Sequence, residues 1–205
     1  MTNIVLVLDA IGVIYNSADD VAELLVPLVV KRGGIDDPEE ISRLYTLASL
    51  GELAAGTFWN NVGLSQQLED DYLAQHKLMD GLLDFLDTPL PGISSIWCLS
   101  NDIAEWSRKL RAMHGLEQRF AGFMISGEVG ARKPSPTIYE KLLERLQRPS
   151  RSVVFVDDRE RNLDAAMTLG CQTVLFDPRP QRDRISKHVI VASFTELAQH
   201  LAPDR

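Results

Sequence analysis

The side chains of this sequence that could do chemistry together follow short apolar runs, each near the point where a run ends. They are, in chain order, Asp9, Ser100, Asn101, Lys133, Asp157 and Asp158. Short, continuous apolar runs are typical of strands buried in a parallel sheet, and the carboxyl ends of parallel strands meet along one edge. The sequence therefore predicts that these side chains, distant along the chain, lie close together.

Taken singly, these residues have ordinary explanations. Asp9, Ser100 and Asn101 could each complete a turn or cap a helix, and Lys133 could be a solvated charge. Taken together, the carboxylates would repel one another, since like charges about 4 Å apart cost about 4 kcal/mol at an effective dielectric constant of 20. A metal cation, Lys133 or both would relieve that repulsion. An all-oxygen ligand set favours Mg²⁺, which usually takes a further ligand from a phosphate.

The elements that must position these side chains are strands that alternate with helices. The predicted strands are Ile4–Leu8, Ser95–Leu99, Gly122–Ile125, Ser152–Val156, Thr173–Phe176 and Val189–Val191. Amphipathic stretches of helical length separate the later strands, at Ile103–Met113, Pro136–Leu146 and Leu163–Leu169. This alternation predicts an α/β fold with a doubly wound parallel sheet.

A long helical segment separates the first two strands. Ser17 with Asp20 has the pattern of a capping box, and apolar residues at helical spacing follow it. We predict a core domain formed by residues 1–15 and 88–205 and a helical cap domain formed by residues 16–87. The aromatic residues Tyr45, Phe58 and Trp59 are expected to pack inside that segment, which would lie over the carboxyl edge of the sheet like a lid.

The composition limits the classes of partner that this protein could bind. The chain has 205 residues and a formal net charge of −8, and its acidic residues are spread along the sequence, which argues against nucleic acid as a partner because phosphate binding needs clustered Lys and Arg. Its apolar stretches are shorter than the ~20 residues that cross a bilayer.

Cys98 and Cys171 lie in apolar runs and are interpreted as buried free thiols. With no signal-peptide pattern, a cytoplasmic location is expected. The oligomeric state is not predicted.

The chemistry-bearing segments resemble, in order, the four motifs of the haloacid dehalogenase-like (HAD) hydrolases. Residues Val5–Val13 match the first motif, Leu99–Asn101 the second, Lys133–Pro134 the third and Val156–Asn162 the fourth. The resemblance covers essentially the whole chain, and the helical segment lies where the family has a small helical cap. It implies a Rossmann-like core with such a cap.

The family resemblance also implies a reaction, the hydrolysis of a small phosphorylated metabolite. Asp9 would be the nucleophile and would form an aspartyl-phosphate that water then hydrolyses. Ser100 and the backbone N–H of Asn101 would hold the phosphoryl oxygens. Lys133 would neutralise charge on Asp9 and on the phosphoryl group. Arg159 and Arg161 of the fourth motif are interpreted as solvated loop charges.

The same resemblance implies a Mg²⁺ site. Its ligands would be the Asp9 carboxylate, the backbone carbonyl of Ile11 and the Asp158 carboxylate. Asp157 and Asn162 would orient this cluster.

The sequence departs from the family pattern at Ile11, where the usual first motif has a second Asp that protonates the leaving group. Losing such an acid is worth about 10²–10⁴ in rate, which favours slow turnover or good leaving groups. It also keeps open a metal-independent 2-haloacid dehalogenase, whose branch lacks that Asp, and a non-catalytic binding protein. The branch that cleaves phosphonoacetaldehyde lacks it too but needs a cap lysine, for which this chain offers Lys31 and Lys77.

Overall fold

A six-stranded parallel sheet forms the centre of the protein in the computed structural model, which describes residues 3–179 and 185–202. The strands are β1 Ile4–Leu8, β2 Ile93–Ser100, β3 Gly122–Ile125, β4 Val153–Asp157, β5 Gln172–Phe176 and β6 Val189–Val191. Their order across the sheet is β3-β2-β1-β4-β5-β6, and all neighbouring strands pair in parallel. The predicted doubly wound α/β fold is confirmed.

Helices connect these strands. They are α1 Val26–Lys31, α2 Pro38–Ala48, α3 Ala55–Asn61, α4 Glu69–Leu73, α5 Leu82–Asp87, α6 Ala104–Met113, α7 Ser126–Val129, α8 Pro136–Leu146, α9 Glu160–Thr168 and α10 Phe194–Leu201. A π-helical turn at Val21–Leu25 runs into α1, and short 3₁₀ turns lie at Gln66–Leu68 and Ser150–Ser152. In the described part of the chain, no helix is long and apolar enough to cross a membrane.

The segment between β1 and β2 contains α1 to α5, as the helical pattern predicted. We call residues 16–87 the helical insertion; its limits as a separate domain stay a prediction. The predicted capping box is wrong. The Ser17 hydroxyl donates to Glu23, and the Asp20 carboxylate accepts from the Tyr72 hydroxyl, 52 residues away. Asp19 instead accepts a hydrogen bond from the backbone N–H of Ala22 in the first turn.

The two faces of the sheet support two hydrophobic layers. Alternate residues of β1 point to opposite faces, so Leu6 and Leu8 belong to one layer and Val5 and Val7 to the other. The first layer continues into the helical insertion, where the buried rings of Phe58 and Trp59 pack against Trp106 of α6. The insertion therefore packs against the core over shared apolar surface, and Phe58 and Trp59 lie inside it as predicted.

Candidate active site

Asp9, Lys133 and Asp157 form a buried ion-pair cluster at the carboxyl edge of the sheet. Asp9 directly follows β1, and Asp157 ends β4, which pairs with β1. The Lys133 Nζ lies 2.6 Å from Asp9 Oδ1 and 2.7 Å from Asp157 Oδ2, and all three side chains are buried. Lys133 lies on the loop between α7 and α8. The fold therefore brings these residues together at one edge of the sheet, as the sequence predicted.

The adjacent carboxylates of Asp157 and Asp158 have opposite hydrogen-bonding states. Both oxygens of Asp157 accept hydrogen bonds, from the backbone N–H of Arg159, from Lys133 and from the Asn162 Nδ2 at 2.9 and 3.0 Å. The buried Oδ1 of Asp158 has no hydrogen-bond partner among residues 3–179 and 185–202. The protein therefore saturates Asp157 with hydrogen bonds, whereas the Asp158 Oδ1, which has the Arg159 Nε at 3.8 Å, can still accept a ligand.

Gly12 permits this placement of Asp158. Its backbone has φ of +87°, and a Cβ at this position would lie 2.5 Å from the Asp158 Cγ. The glycine after Ile11 thus gives the loop both its left-handed conformation and its close approach to the fourth-motif carboxylate.

The cluster carries excess negative charge, and this charge shifts the pKa values of its groups. Burial, followed by the charge of Asp157, raises the pKa of Asp9 well above its usual value, and Lys133 only partly opposes this. Burial and then Asp157 raise the pKa of Asp158 to about 7. Although burial alone would lower the pKa of Lys133, the charges of Asp157 and Asp9 raise it, so the lysine stays protonated. Lys133 and the Arg159 guanidinium, whose Nε lies 3.8 Å from the Asp158 Oδ1, leave one of the three carboxylate charges unbalanced, and a bound cation would balance it.

The donor set fits a magnesium ion. One carboxylate oxygen from each of Asp9, Asp157 and Asp158 lies within 4.8 Å of the other two. Since Asp157 is occupied by protein donors, Asp9 and Asp158 are the carboxylates left to bind a cation, and Ile11 lies on the same loop as Asp9. Hard oxygen ligands of this kind suit Mg²⁺.

The second motif contributes one free hydroxyl and one structural amide. The Ser100 Oγ is buried and lacks a hydrogen-bond partner in the described chain, and the residue lines the cleft above Asp9. The Asn101 side chain instead holds the third-motif loop: its Oδ1 accepts from the Lys133 N–H at 2.7 Å, and its Nδ2 donates to the Lys133 carbonyl at 2.9 Å. Asn101 therefore positions Lys133, and Ser100 is available to a ligand.

A cleft of about 170 Å³ opens above this cluster. Its lining from the core comprises Asp9, Ile11, Ser100, Asn101, Arg132, Lys133, Arg159 and Asn162, and its lining from the helical insertion comprises Asp19, Asp20, Val21, Ser42, Tyr45 and Thr46. Lys31 and Lys77 are exposed and are not among these residues, so the cleft holds neither lysine that a Schiff-base mechanism would need.

Some lining residues differ from the sequence-based interpretation. Tyr45 is buried as expected, but it also lines the cleft, and its hydroxyl donates to the Asn101 carbonyl at 3.2 Å. Arg159 is not a freely solvated charge, because it lines the cleft and donates to the Ala18 carbonyl of the insertion at 3.0 Å. Arg161 is exposed, as predicted.

Sequence reasoning missed Arg132 and Asp20. A usable signal existed for Arg132, because it directly precedes Lys133 on a loop already assigned to the site. For Asp20 there was none, since its position depends on how the insertion packs against the core.

Comparison with known proteins agrees with the motifs. The family model described as haloacid dehalogenase-like hydrolase matches residues 5–170. The chain belongs to the haloacid dehalogenase-like hydrolase family. The match runs from β1 through the fourth motif and includes every loop that contributes to the cleft described above.

Curated relatives of this HAD-family chain match it over short segments. A drimenol cyclase of Aspergillus calidoustus is 39% identical over 59 residues, which is 29% of this chain and 11% of that protein. A sesquiterpene phosphatase of Aspergillus oryzae is 32% identical over 76 residues, which is 37% of this chain and 39% of that protein. The matched parts are thus well under half of these relatives.

Solved HAD structures share the fold at low sequence identity. A HAD phosphatase from Thermococcus onnurineus has a TM-score of 0.73 at 19% identity, with 97% of each chain covered. A HAD family enzyme from Bacteroides thetaiotaomicron, in complex with magnesium and inorganic phosphate, has a TM-score of 0.71 at 20% identity, covering 88% of this chain and 97% of that one. An L-2-haloacid dehalogenase from Xanthobacter autotrophicus with covalently bound chloropropionic acid has a TM-score of 0.68 at 16% identity, covering 96% and 97%.

Proposed function

We propose that this HAD-family hydrolase is a Mg²⁺-dependent phosphatase that acts on a small phosphorylated metabolite through an aspartyl-phosphate on Asp9. The observation that carries the proposal is the charge imbalance of the cluster: the carboxylates of Asp9, Asp157 and Asp158 lie together, and Lys133 pairs with the first two. The buried Asp158 Oδ1 accepts no hydrogen bond from the described residues and has the Arg159 Nε at 3.8 Å. A dehalogenase that works without a metal has no need of a third carboxylate with a free acceptor.

Asp9 is the nucleophile in this proposal. Its Oδ1 accepts hydrogen bonds from the Ala10 N–H and from Lys133, both at 2.6 Å, and no described residue donates to Oδ2. A bond forms between Oδ2 and phosphorus while the bond from phosphorus to the leaving oxygen breaks. Water then attacks the aspartyl-phosphate, which releases inorganic phosphate and regenerates the Asp9 carboxylate.

The remaining groups bind and orient the phosphoryl group. The free Ser100 hydroxyl and the backbone N–H of Asn101 hold its oxygens, and Lys133 offsets the charge that it brings next to Asp9. Asp158, Asp9 and the Ile11 carbonyl would hold Mg²⁺, which when bound neutralises negative charge on the phosphoryl oxygens. Asp157, fixed by Asn162 and the Arg159 N–H, keeps Lys133 in place.

The Ile11 side chain lines the cleft and cannot protonate a leaving alkoxide. The proton therefore comes from solvent, and substrates whose leaving group is stable as an anion react fastest. The helical insertion acts as the cap, since it contributes part of the cleft lining and leaves space for a compact substrate only. A phosphatase among the curated relatives and the magnesium and phosphate bound by a structural relative support this reading.

Hydrolysis of para-nitrophenyl phosphate tests the proposal. The purified protein is assayed with Mg²⁺ and with EDTA, beside Asp9→Asn and the surface control Asp70→Asn. We expect turnover in Mg²⁺ that EDTA and Asp9→Asn abolish and that Asp70→Asn retains. Full activity of a folded Asp9→Asn protein would exclude this mechanism.

A second candidate, metal-independent 2-haloacid dehalogenase activity, is favoured by one observation: the first-motif position that holds an acid in phosphatases presents a hydrocarbon, Ile11, to the cleft. In that reaction Asp9 attacks carbon and halide leaves. Chloride release from 2-chloropropionate in EDTA, without phosphatase activity, would support this candidate and contradict the phosphatase proposal.

A further inference from the structure

Two consecutive basic residues of the third-motif loop serve different parts of the cleft. Lys133 reaches the carboxylates at its floor, whereas the guanidinium carbon of Arg132 lies 5.7 Å from the centre of the Tyr45 ring, which belongs to the helical insertion. Both residues line the cleft. Since this cleft is only about 170 Å³, one small molecule could contact both residues.

The Arg132 guanidinium lacks the partners that such a group normally has. Its Nη1 is buried without a hydrogen bond, and the described residues supply no carboxylate within ion-pair distance. The two acids whose charges act on Arg132 have other hydrogen-bond donors: Asp20 accepts from the Tyr72 hydroxyl at 3.0 Å, and Asp102 Oδ1 accepts from the Ile103 N–H at 2.7 Å. Burial lowers the pKa of Arg132, which reflects the cost of desolvating an unpaired cation.

We propose that Arg132 binds a second anionic group of the substrate, a carboxylate or another phosphate, a few atoms away from the phosphoryl group held above Asp9. This inference rests on the proposed phosphatase function and narrows its substrate class. A guanidinium presents parallel N–H donors that match a carboxylate or phosphate, and an anion would supply both the missing hydrogen bond and the missing charge. The Tyr45 ring lies beside this second position.

A substrate pair that differs only in the second group tests the inference. The probes are 3-phosphooxypropanoate, which carries a carboxylate, and 3-hydroxypropyl phosphate, which carries a hydroxyl in its place. KM and kcat for each are measured with the wild type, Arg132→Met, Arg132→Lys and the control Arg148→Met, which removes an exposed arginine outside the cleft.

We expect Arg132→Met to raise the KM for 3-phosphooxypropanoate about tenfold or more, because it removes a charge-assisted hydrogen bond. The KM for 3-hydroxypropyl phosphate should change less than about twofold. Arg132→Lys keeps the charge but loses the parallel N–H donors of the guanidinium, so its KM for 3-phosphooxypropanoate should lie between those of the wild type and Arg132→Met. Arg148→Met should behave as wild type. Equal losses for both substrates, or none for either, would overturn the inference.

A binding measurement separates this inference from the phosphatase proposal. In the Asp9→Asn background, where turnover is expected to be absent, the dissociation constant of 3-phosphooxypropanoate is measured by calorimetry with and without Arg132→Met. Weaker binding in the double variant supports the subsite even if the wild type hydrolyses neither probe. An unchanged dissociation constant, or no binding before the Arg132 substitution, contradicts it.

Discussion

Two buried sites of this protein each combine a carboxylate with a lysine but differ in how fully the carboxylate oxygens are hydrogen-bonded. Glu69, in the helical insertion, accepts from Trp59 Nε1 at 3.2 Å, from Trp106 Nε1 at 2.7 Å and from Lys109 Nζ at 2.7 Å. At the edge of the sheet, three carboxylates lie together, Lys133 pairs with two of them, and the buried Asp158 Oδ1 accepts no hydrogen bond from the described residues, with the Arg159 Nε 3.8 Å away.

The difference separates a structural acid from a functional one. Glu69 has a donor for each oxygen, and these donors come from both the insertion and α6 of the core, so its carboxylate joins the two regions. The sheet-edge cluster has acceptors and negative charge left over, which a fold held together for stability alone would not retain. A buried charged group alone therefore does not identify a functional site. Acceptor oxygens and negative charge that the protein leaves unbalanced do.

Removing Lys133 should have the largest effect. Lys133→Met leaves Asp9 and Asp157 buried without their cation, and breaking a buried ion pair in this way costs about 3–5 kcal/mol. We expect the free energy of unfolding in urea, measured in EDTA, to fall by this amount and phosphatase turnover to be lost. Lys141→Met, which removes an exposed lysine from α8, is the matched control. Wild-type stability of Lys133→Met would mean that the cluster is neutralised in another way.

Removing the Glu69 charge should affect stability but not the cleft. Glu69→Gln places an amide N–H₂ group opposite one of the donors that the carboxylate now satisfies, and a buried unsatisfied group costs about 1–3 kcal/mol. We expect a lower Tm and an unchanged KM for para-nitrophenyl phosphate. Asp70→Asn, on the exposed side of α4, should change neither. Loss of Mg²⁺ dependence in Glu69→Gln, with stability unchanged, would invert the assignment of the two clusters.

The raised pKa of Asp158 predicts a pH-dependent stability that depends on the metal. A carboxyl group whose pKa rises to about 7 on folding stabilises the folded state fully below its unfolded pKa, near 4, and this contribution is lost as the pH rises through 7. In EDTA, the Tm should therefore fall between about pH 4 and pH 7. Mg²⁺ should flatten this fall, because it stabilises the ionised carboxylates.

Asp102 gives the control for this measurement. Burial and then the charge of Asp20 raise its pKa to about 7 as well, but it lies outside the carboxylate cluster. Asp102→Asn should reduce the pH dependence and leave the Mg²⁺ effect intact, whereas Asp158→Asn should reduce both. If Mg²⁺ raises the Tm of Asp158→Asn as much as that of the wild type, the cation binds elsewhere.

The fold and the floor of the site could be predicted because both follow from local patterns. Apolar runs mark strands buried on both faces, and parallel strands bring Asp9 and Asp157 to the same edge whatever the loops do. The start of the helical segment could not be predicted, since the Asp20 carboxylate bonds to Tyr72 rather than to its own helix.

The family resemblance implied different roles for Asp157 and Asp158, but the pattern of residues alone does not distinguish them. Two adjacent aspartates look equivalent in the chain, and only the positions of Asn162, Lys133 and the Arg159 N–H show which one is saturated. The position of Arg132 beside Tyr45 likewise depends on how the insertion packs on the core.

Titration of Mg²⁺ into the metal-free protein by calorimetry tests the central claim most directly. The wild type and Glu69→Gln should each bind one Mg²⁺ ion saturably, since the first has the free acceptors of the sheet-edge cluster and the second leaves them unchanged. Asp158→Asn, with its fold verified by circular dichroism, should lose that binding. Absence of binding in the wild type, or undiminished binding in Asp158→Asn, would contradict the assignment of this cluster as a metal site.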